Sequence, residues 1–184
     1  DINIGKIGTG WWGNQTLFNA GIHSSPFYPN LAMEIKFEYL RLEPYTYSHR
    51  LNRNNFTQLG YNLSSTFQPN SELFLFGISY RFTNRMSLAV DFTYTNHGAN
   101  IIKVDGTIVN VGGDINLGHR TFDSETVKFL DGDLQISRAI NTYFFYEPYN
   151  QLSFYLNFMY HHRSANQKLA SNEIQMFAGT NIKF

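Results

Sequence analysis

The chain has 184 residues, of which 17% are aromatic and only 15% are Asp, Glu, Lys or Arg, and its formal net charge is zero. Ordinary globular domains carry roughly 25% charged residues, so a surface wholly exposed to water would be short of ionic groups. Zero net charge argues against nucleic acid as the main partner, and the absence of cysteine removes disulfides and thiolate metal sites.

Mean hydropathy is −0.32. No run of about 18 apolar residues occurs, which excludes a transmembrane helix. A transmembrane strand needs only about 9–11 residues with every second one apolar, so low hydropathy is compatible with a membrane barrel. No signal peptide opens the chain, and Asp1 is read as the start of a mature form or a point within a longer polypeptide.

In chain order, residues 1–10 read as a weak strand, with Ile2 and Ile4 in phase, followed by the glycine-rich turn GTGWWGN. Trp11 and Trp12 in that turn have two readings: aromatics of an interfacial belt, or a platform on which sugars stack. Residues 15–24 form a second strand, and the two prolines of 24–30 mark a turn. Residues 31–47 read as a long third strand, in which Met33, Ile35, Phe37 and Tyr39 alternate with Ala32, Glu34, Lys36 and Glu38. After Tyr39 the phase slips, which a bulge or an exit from a bilayer would explain.

Residues 48–71 are rich in Asn, Ser and Thr without a period, and predict a long surface loop. Residues 72–96 give the strongest signal, two alternating runs joined by a three-residue turn at 83–85. Phe74, Phe76, Ile78, Tyr80 and Phe82 share a face with Met86, Leu88, Val90, Phe92 and Tyr94; the other face is small or polar and carries Arg81 and Asp91. A period of two is the strand signature. A second long loop, 97–132, has room for a small hairpin.

Residues 133–146 form a sixth strand in which Arg138 falls on the apolar face, a position that demands either the edge of a bilayer or a bulge. A Pro-containing turn at 147–150 leads to a seventh strand, 151–163, a polar loop at 164–171 and an eighth strand, 172–184. The count is eight if the first strand is real and seven if it is not. Eight strands can close on themselves, whereas seven would leave edges unpaired in lipid and favour a larger barrel.

Short connections alternate with long ones, as in outer-membrane barrels with short periplasmic turns and long extracellular loops. The last strand ends on Phe184, with apolar residues at every second position before it. The expected fold is therefore all-β: an antiparallel transmembrane β-barrel of about eight strands over 1–184, complete in itself or the C-terminal portion of a larger barrel. Its location is the bacterial outer membrane, with the C-terminus periplasmic. A soluble all-β binding domain is the competing class.

The strings IGTGWWGN, EYLRLEPYTYSHR (38–50), QPNSEL (68–73) and GGDINLGHR (112–120) resemble the C-terminal part of Wzi-type capsule-assembly proteins, of Gram-negative bacteria. The second string, followed by the loop ending in PNS and a strand, is the most specific. The resemblance covers most of this chain but only part of the family's length, and the periplasmic helices of that family have no counterpart here. It implies a non-enzymatic barrel that holds capsular polysaccharide at the cell surface. Its implied partners are outer-membrane lipids, surface or capsular polysaccharide and other outer-membrane proteins. The alternative is a passive porin-like channel or a structural barrel subunit.

Glycan-binding candidates are the loop-side aromatics and planar polar groups Trp11, Trp12, Tyr45, Tyr47, His49, Arg50, His119 and Arg120. Aromatic faces stack on sugar C–H surfaces, and Arg and His bind acidic groups. No catalytic, cofactor or metal site is expected. No HExxH or GxSxG string occurs, the GTG and VGG strings lack a phosphate-binding pattern, and no Ser–His pairing follows from spacing alone. His161 and His162 are adjacent on a strand and point to opposite faces. Asp114, Asp123 and Glu125 share a loop, so a glycosidase pair stays open there. Glu34, Lys36, Glu38, Arg81, Asp91 and Lys183 form a compensating polar interior or line a pore.

Overall fold

The computed structural model describes residues 2–24, 32–49, 51–59, 61–63 and 67–182. The turn at 24–30 lies, apart from Ser24, outside the described residues, as do Arg50, Lys183 and Phe184. The chain is all-β and antiparallel. Its strands are β1 (Leu17–Ser24), β2 (Met33–Leu42), β3 (Thr57–Gln58), β4 (Tyr61–Asn62), β5 (Ser71–Thr83), β6 (Met86–Ala99), β7 (Ile101–Ile102), β8 (Ile108–Val109), β9 (Asp133–Tyr149), β10 (Leu152–Ala165) and β11 (Lys168–Ile182). Seven of them form one sheet in the order β1-β2-β5-β6-β9-β10-β11, and β3–β4 and β7–β8 are small separate hairpins. β1 and β11 are the sheet's edges, so the sheet is open. No helix among the described residues is long and apolar enough to cross a membrane.

The expected strand at 1–10 does not form. Asn3 caps a 3-10 turn at Ile4–Lys6 by accepting from the Gly5 N–H at 3.1 Å, and turns continue to Gly10. Two isoleucines among glycines bury nothing and find no neighbouring strand: Ile4 stays 81% exposed. Four other boundaries move. The third strand, expected over 31–47, ends at Leu42, and residues 44–47 are turn, where Tyr45 and Tyr47 take left-handed backbone. The turn between β5 and β6 has two residues, with Thr83 still paired to Met86. β9 runs on to Tyr149, past its pairing with β6, and there pairs with β10 alone. Arg85 holds that end by donating to the Pro148 carbonyl at 3.0 Å and to Asn150. The polar loop expected at 164–171 is mostly strand, because β10 and β11 continue to a tight turn at 166–167.

Register lines the apolar residues up in rows across all seven strands. One row reads Ile22, Phe37, Phe76, Phe92, Ile140, Tyr160 and Ile174. Its six members other than Tyr160 expose 40–74% of their surfaces. Neighbouring rows hold Ile35, Ile78, Val90, Phe158 and Met176, then Met33, Tyr80, Leu88, Phe144 and Leu156. Away from the cap end, the charges lie on the opposite face. Lys36 and Asp91 form an ion pair of 2.9 Å across the intervening strand. They meet over Gly77, where a Cβ would lie 2.2 Å from Lys36 Cε and 2.4 Å from Asp91 Oδ1.

The packed core is not between layers of strands; it lies at one end of the sheet. The described residues of 2–16, 43–70 and 100–132 emerge at that end. Leu40, Leu42 and Leu73, on the polar face, are buried under Tyr47 and Phe67. The slip in phase after Tyr39 follows from this. The β2–β5 register runs unbroken to Leu42–Ser71, without a bulge. What changes is the surroundings: Leu40 and Leu42 turn toward the cap, and Arg41 on the other face turns toward Glu43 and Phe129. Arg138 is settled likewise. It pairs with Tyr94 in undisturbed register, 5.7 Å from that ring, in the apolar row nearest the cap.

Candidate functional site

The long connections, expected as surface loops, fold into a cap with its own core and polar scaffold. Asparagine side chains do most of the stitching, since each offers a donor and an acceptor to backbone that has no strand partner. Asn70 is fully buried in the left-handed region (φ 57). Its Nδ2 donates to the Gly98 and Asp131 carbonyls at 2.8 and 3.0 Å, and its Oδ1 accepts from Leu130 N–H at 2.7 Å. Asn55 donates to the Ile115 carbonyl at 2.6 Å and accepts from His49 N–H. Asn110 donates to the Gly118 carbonyl and to Asp123, and accepts from Gly112 N–H.

Four of the eight glycan candidates meet in this cap. The Trp12 and His119 rings stack with centroids 4.1 Å apart and planes 6° apart, and Tyr45 stands edge-on to both. Trp12 Nε1 donates to Glu125 Oε2 at 2.9 Å, tying the N-terminal segment to the second loop. Tyr45 is fully buried, with its hydroxyl on the Asn110 carbonyl at 3.1 Å. Burial pushes that hydroxyl's pKa well up and the Asp123 charge adds to the effect, with Arg120 opposing it. Arg120 spends its guanidinium on both Asp123 oxygens and on the Ile108 carbonyl. Burial alone would raise the Asp123 carboxyl. Bonds from Arg120 and Asn110, with the Arg120 charge, outweigh it and hold the group below the usual carboxylate range. Much of the surface of these four groups is thus used within the protein.

The remaining candidates are placed differently. Trp11 is half-buried, with Lys6 Nζ 4.4 Å from its ring centroid. Trp11 and Trp12 line a cavity of about 590 Å³ together with Lys6, Arg41, Lys128 and Phe129. Tyr47 packs on the Leu40–Leu42–Leu73 cluster and near Phe56. His49 is exposed and accepts from Leu51 N–H.

Register also creates two Ser–His contacts that spacing did not reveal. Ser71 Oγ lies 2.9 Å from His97 Nδ1, and Ser137 Oγ lies 2.6 Å from His161 Nε2. Their partners are 26 and 24 residues apart in sequence, so only strand pairing could have shown them. On the far nitrogen of His161 sits Arg163 NH2, at 3.0 Å. A general base needs a carboxylate there to hold the imidazolium; a guanidinium does the opposite. Among the described residues no group of three His, Asp or Glu side chains is placed to hold a metal ion.

Compared with known proteins, the chain matches no family model, no curated protein and no solved structure.

Proposed function

We infer that this chain forms wall and cap of an outer-membrane β-barrel that binds or organises surface polysaccharide and performs no catalysis. The carrying observation is the apolar face itself: a row of seven residues, six of them 40–74% exposed, with no layer packed over it among the described residues. A soluble domain would leave that face in water, where so large an apolar patch drives association. Lipid removes the cost, and the ion-paired opposite face then lines an interior. Tyr39, Phe74 and Tyr94 at one end, and Tyr80, Phe82 and Tyr146 at the other, suit the two aromatic girdles of such a wall. Lipid also requires that the edges of β1 and β11 be paired, by each other or by further strands.

The polysaccharide part of the reading rests on the Wzi-like strings and on the Trp11–Trp12 cavity at the cap end, where Lys6 and Lys128 supply cations and Arg41 is ion-paired with Glu43. Capsular polysaccharide outside the cell would meet that end, with the short turns and the C-terminus on the periplasmic side. The arginine behind His161 supports the non-enzymatic reading. The test is glycan retention by cells carrying Trp11→Ala, a change outside the cap core. Reduced retention at unchanged barrel content is expected; full retention would remove Trp11 from the site.

A passive channel is the second reading, favoured by the charged polar face. Planar-bilayer recording separates the two. The cap over Leu40, Leu42 and Leu73 predicts little steady current, and an ohmic pore would favour transport.

A further inference from the structure

A second cavity, of about 630 Å³, opens on the polar face beneath Phe67, away from the tryptophan pair. Two adjacent cross-strand rows make its floor. One is Ser71, His97, Gln135, Ala165 and Lys168; the other is Thr95, Ser137, Arg163 and Ser171. The volume is that of an ordinary small-ligand site.

Its chemistry is one-sided. None of its lining residues is an acid, while Arg163 and Lys168 are both exposed and bases. Among the described residues neither joins an ion pair; Arg163 lies against the neutral-capable His161 ring. Asp133 and Glu173 lie on neighbouring strand positions but do not line the cavity. Asp133 is buried and accepts from Gln167 N–H at 3.1 Å, and Glu173, opposite His161, takes a hydrogen bond from Gln175. Two cations with no acid in the lining, set beside hydroxyls, two side-chain amides and the Phe67 ring, match a ligand that is polyhydroxylated, has a C–H face and carries a carboxylate.

We propose that this cavity is a binding site for an acidic saccharide, with Arg163 and Lys168 holding a uronate carboxylate and Phe67 covering the sugar ring. For its ligand class the assignment rests on the polysaccharide reading above. For its location it rests only on the polar face.

The experiment is calorimetric titration of the detergent-solubilised protein with trigalacturonate, maltotriose and inorganic phosphate. Trigalacturonate should bind and the other two should not. Arg163→Gln and Lys168→Gln should each weaken it about tenfold, the worth of one charged hydrogen bond, while Lys103→Gln, a charge control on the β7–β8 hairpin, should leave it unchanged. Phosphate binding as well as trigalacturonate would overturn the saccharide assignment. Equal weakening by all three variants would overturn the site. Vesicle insertion of the same preparation separates the two readings. An inserted protein that ignores trigalacturonate sinks this site alone, and a protein that binds it but stays out of vesicles upholds the site and removes the membrane wall.

Discussion

Asp123 shows how a single group holds the cap. Its side chain is 3% exposed and its carboxyl is held below the usual range. A depressed folded pKa contributes stability that is fully present above the unfolded value, about 3.9, and is lost as pH falls through the folded value. Trp12 sits in the same core, so acid titration followed by tryptophan emission should show the cap loosening below about pH 4, and Asp123→Asn should flatten that transition. Removing the carboxyl altogether, in Asp123→Ala, strips Arg120 of its carboxylate and Asn110 of one of its two acceptors, leaving them only the Ile108 and Gly118 carbonyls, and should cost about 2–3 kcal/mol in urea unfolding. Gly112 is a second fixed point: at φ 72, with a Cβ 2.6 Å from Tyr45 N, Gly112→Ala should destabilise the cap by about 1–3 kcal/mol. Little of this was legible in the sequence. Trp12, Tyr45, His119 and Arg120 stood out by residue type, but whether an aromatic faces solvent or another ring is decided by segments more than 60 residues apart. The left-handed Tyr45 and Tyr47 (φ 63 and 67) leave no signature, because only glycine and asparagine advertise that region.

At the scale of elements the sequence was more open. The alternation in 72–96 named both strands and both faces, because a period of two survives any twist of the sheet. Strand ends were less readable. The polar run at 164–171 looked like loop, since hydroxyl and amide side chains suit a polar strand face as well as a turn. Ile2 and Ile4 looked like strand, since the sequence does not say whether a neighbour exists to pair with. The face assignment makes a sharp prediction at Val90 and Ala89, adjacent residues on β6 that point opposite ways. Val90→Arg, in the middle apolar row, should cost about 2–4 kcal/mol of folding into vesicles. Ala89→Arg, on the polar face, should cost much less. A water-exposed apolar face would instead tolerate arginine at 90.

For the whole molecule, the two halves of the structure solve different problems. The sheet's strands are mostly half-buried or exposed away from the cap, and in the proposed reading lipid covers the apolar face and strand pairing covers the edges. The cap is packed by its own chain, through Tyr45, Val111, Val127 and Ile115. The backbone amides of β1 and β11 should therefore exchange slowly in vesicles, where the edges must be paired; rapid exchange along one face of either strand would mean that the sheet stays open. The most direct test of the membrane wall uses the absence of native cysteine. Spin labels placed singly by Phe76→Cys, Val90→Cys and Ile140→Cys, and by Ser79→Cys, Ala89→Cys and Asn141→Cys, report access to oxygen from lipid and to a nickel chelate from water. The account predicts that the first three are reached by oxygen and the second three are shielded from it; equal access to the chelate at both sets would contradict it.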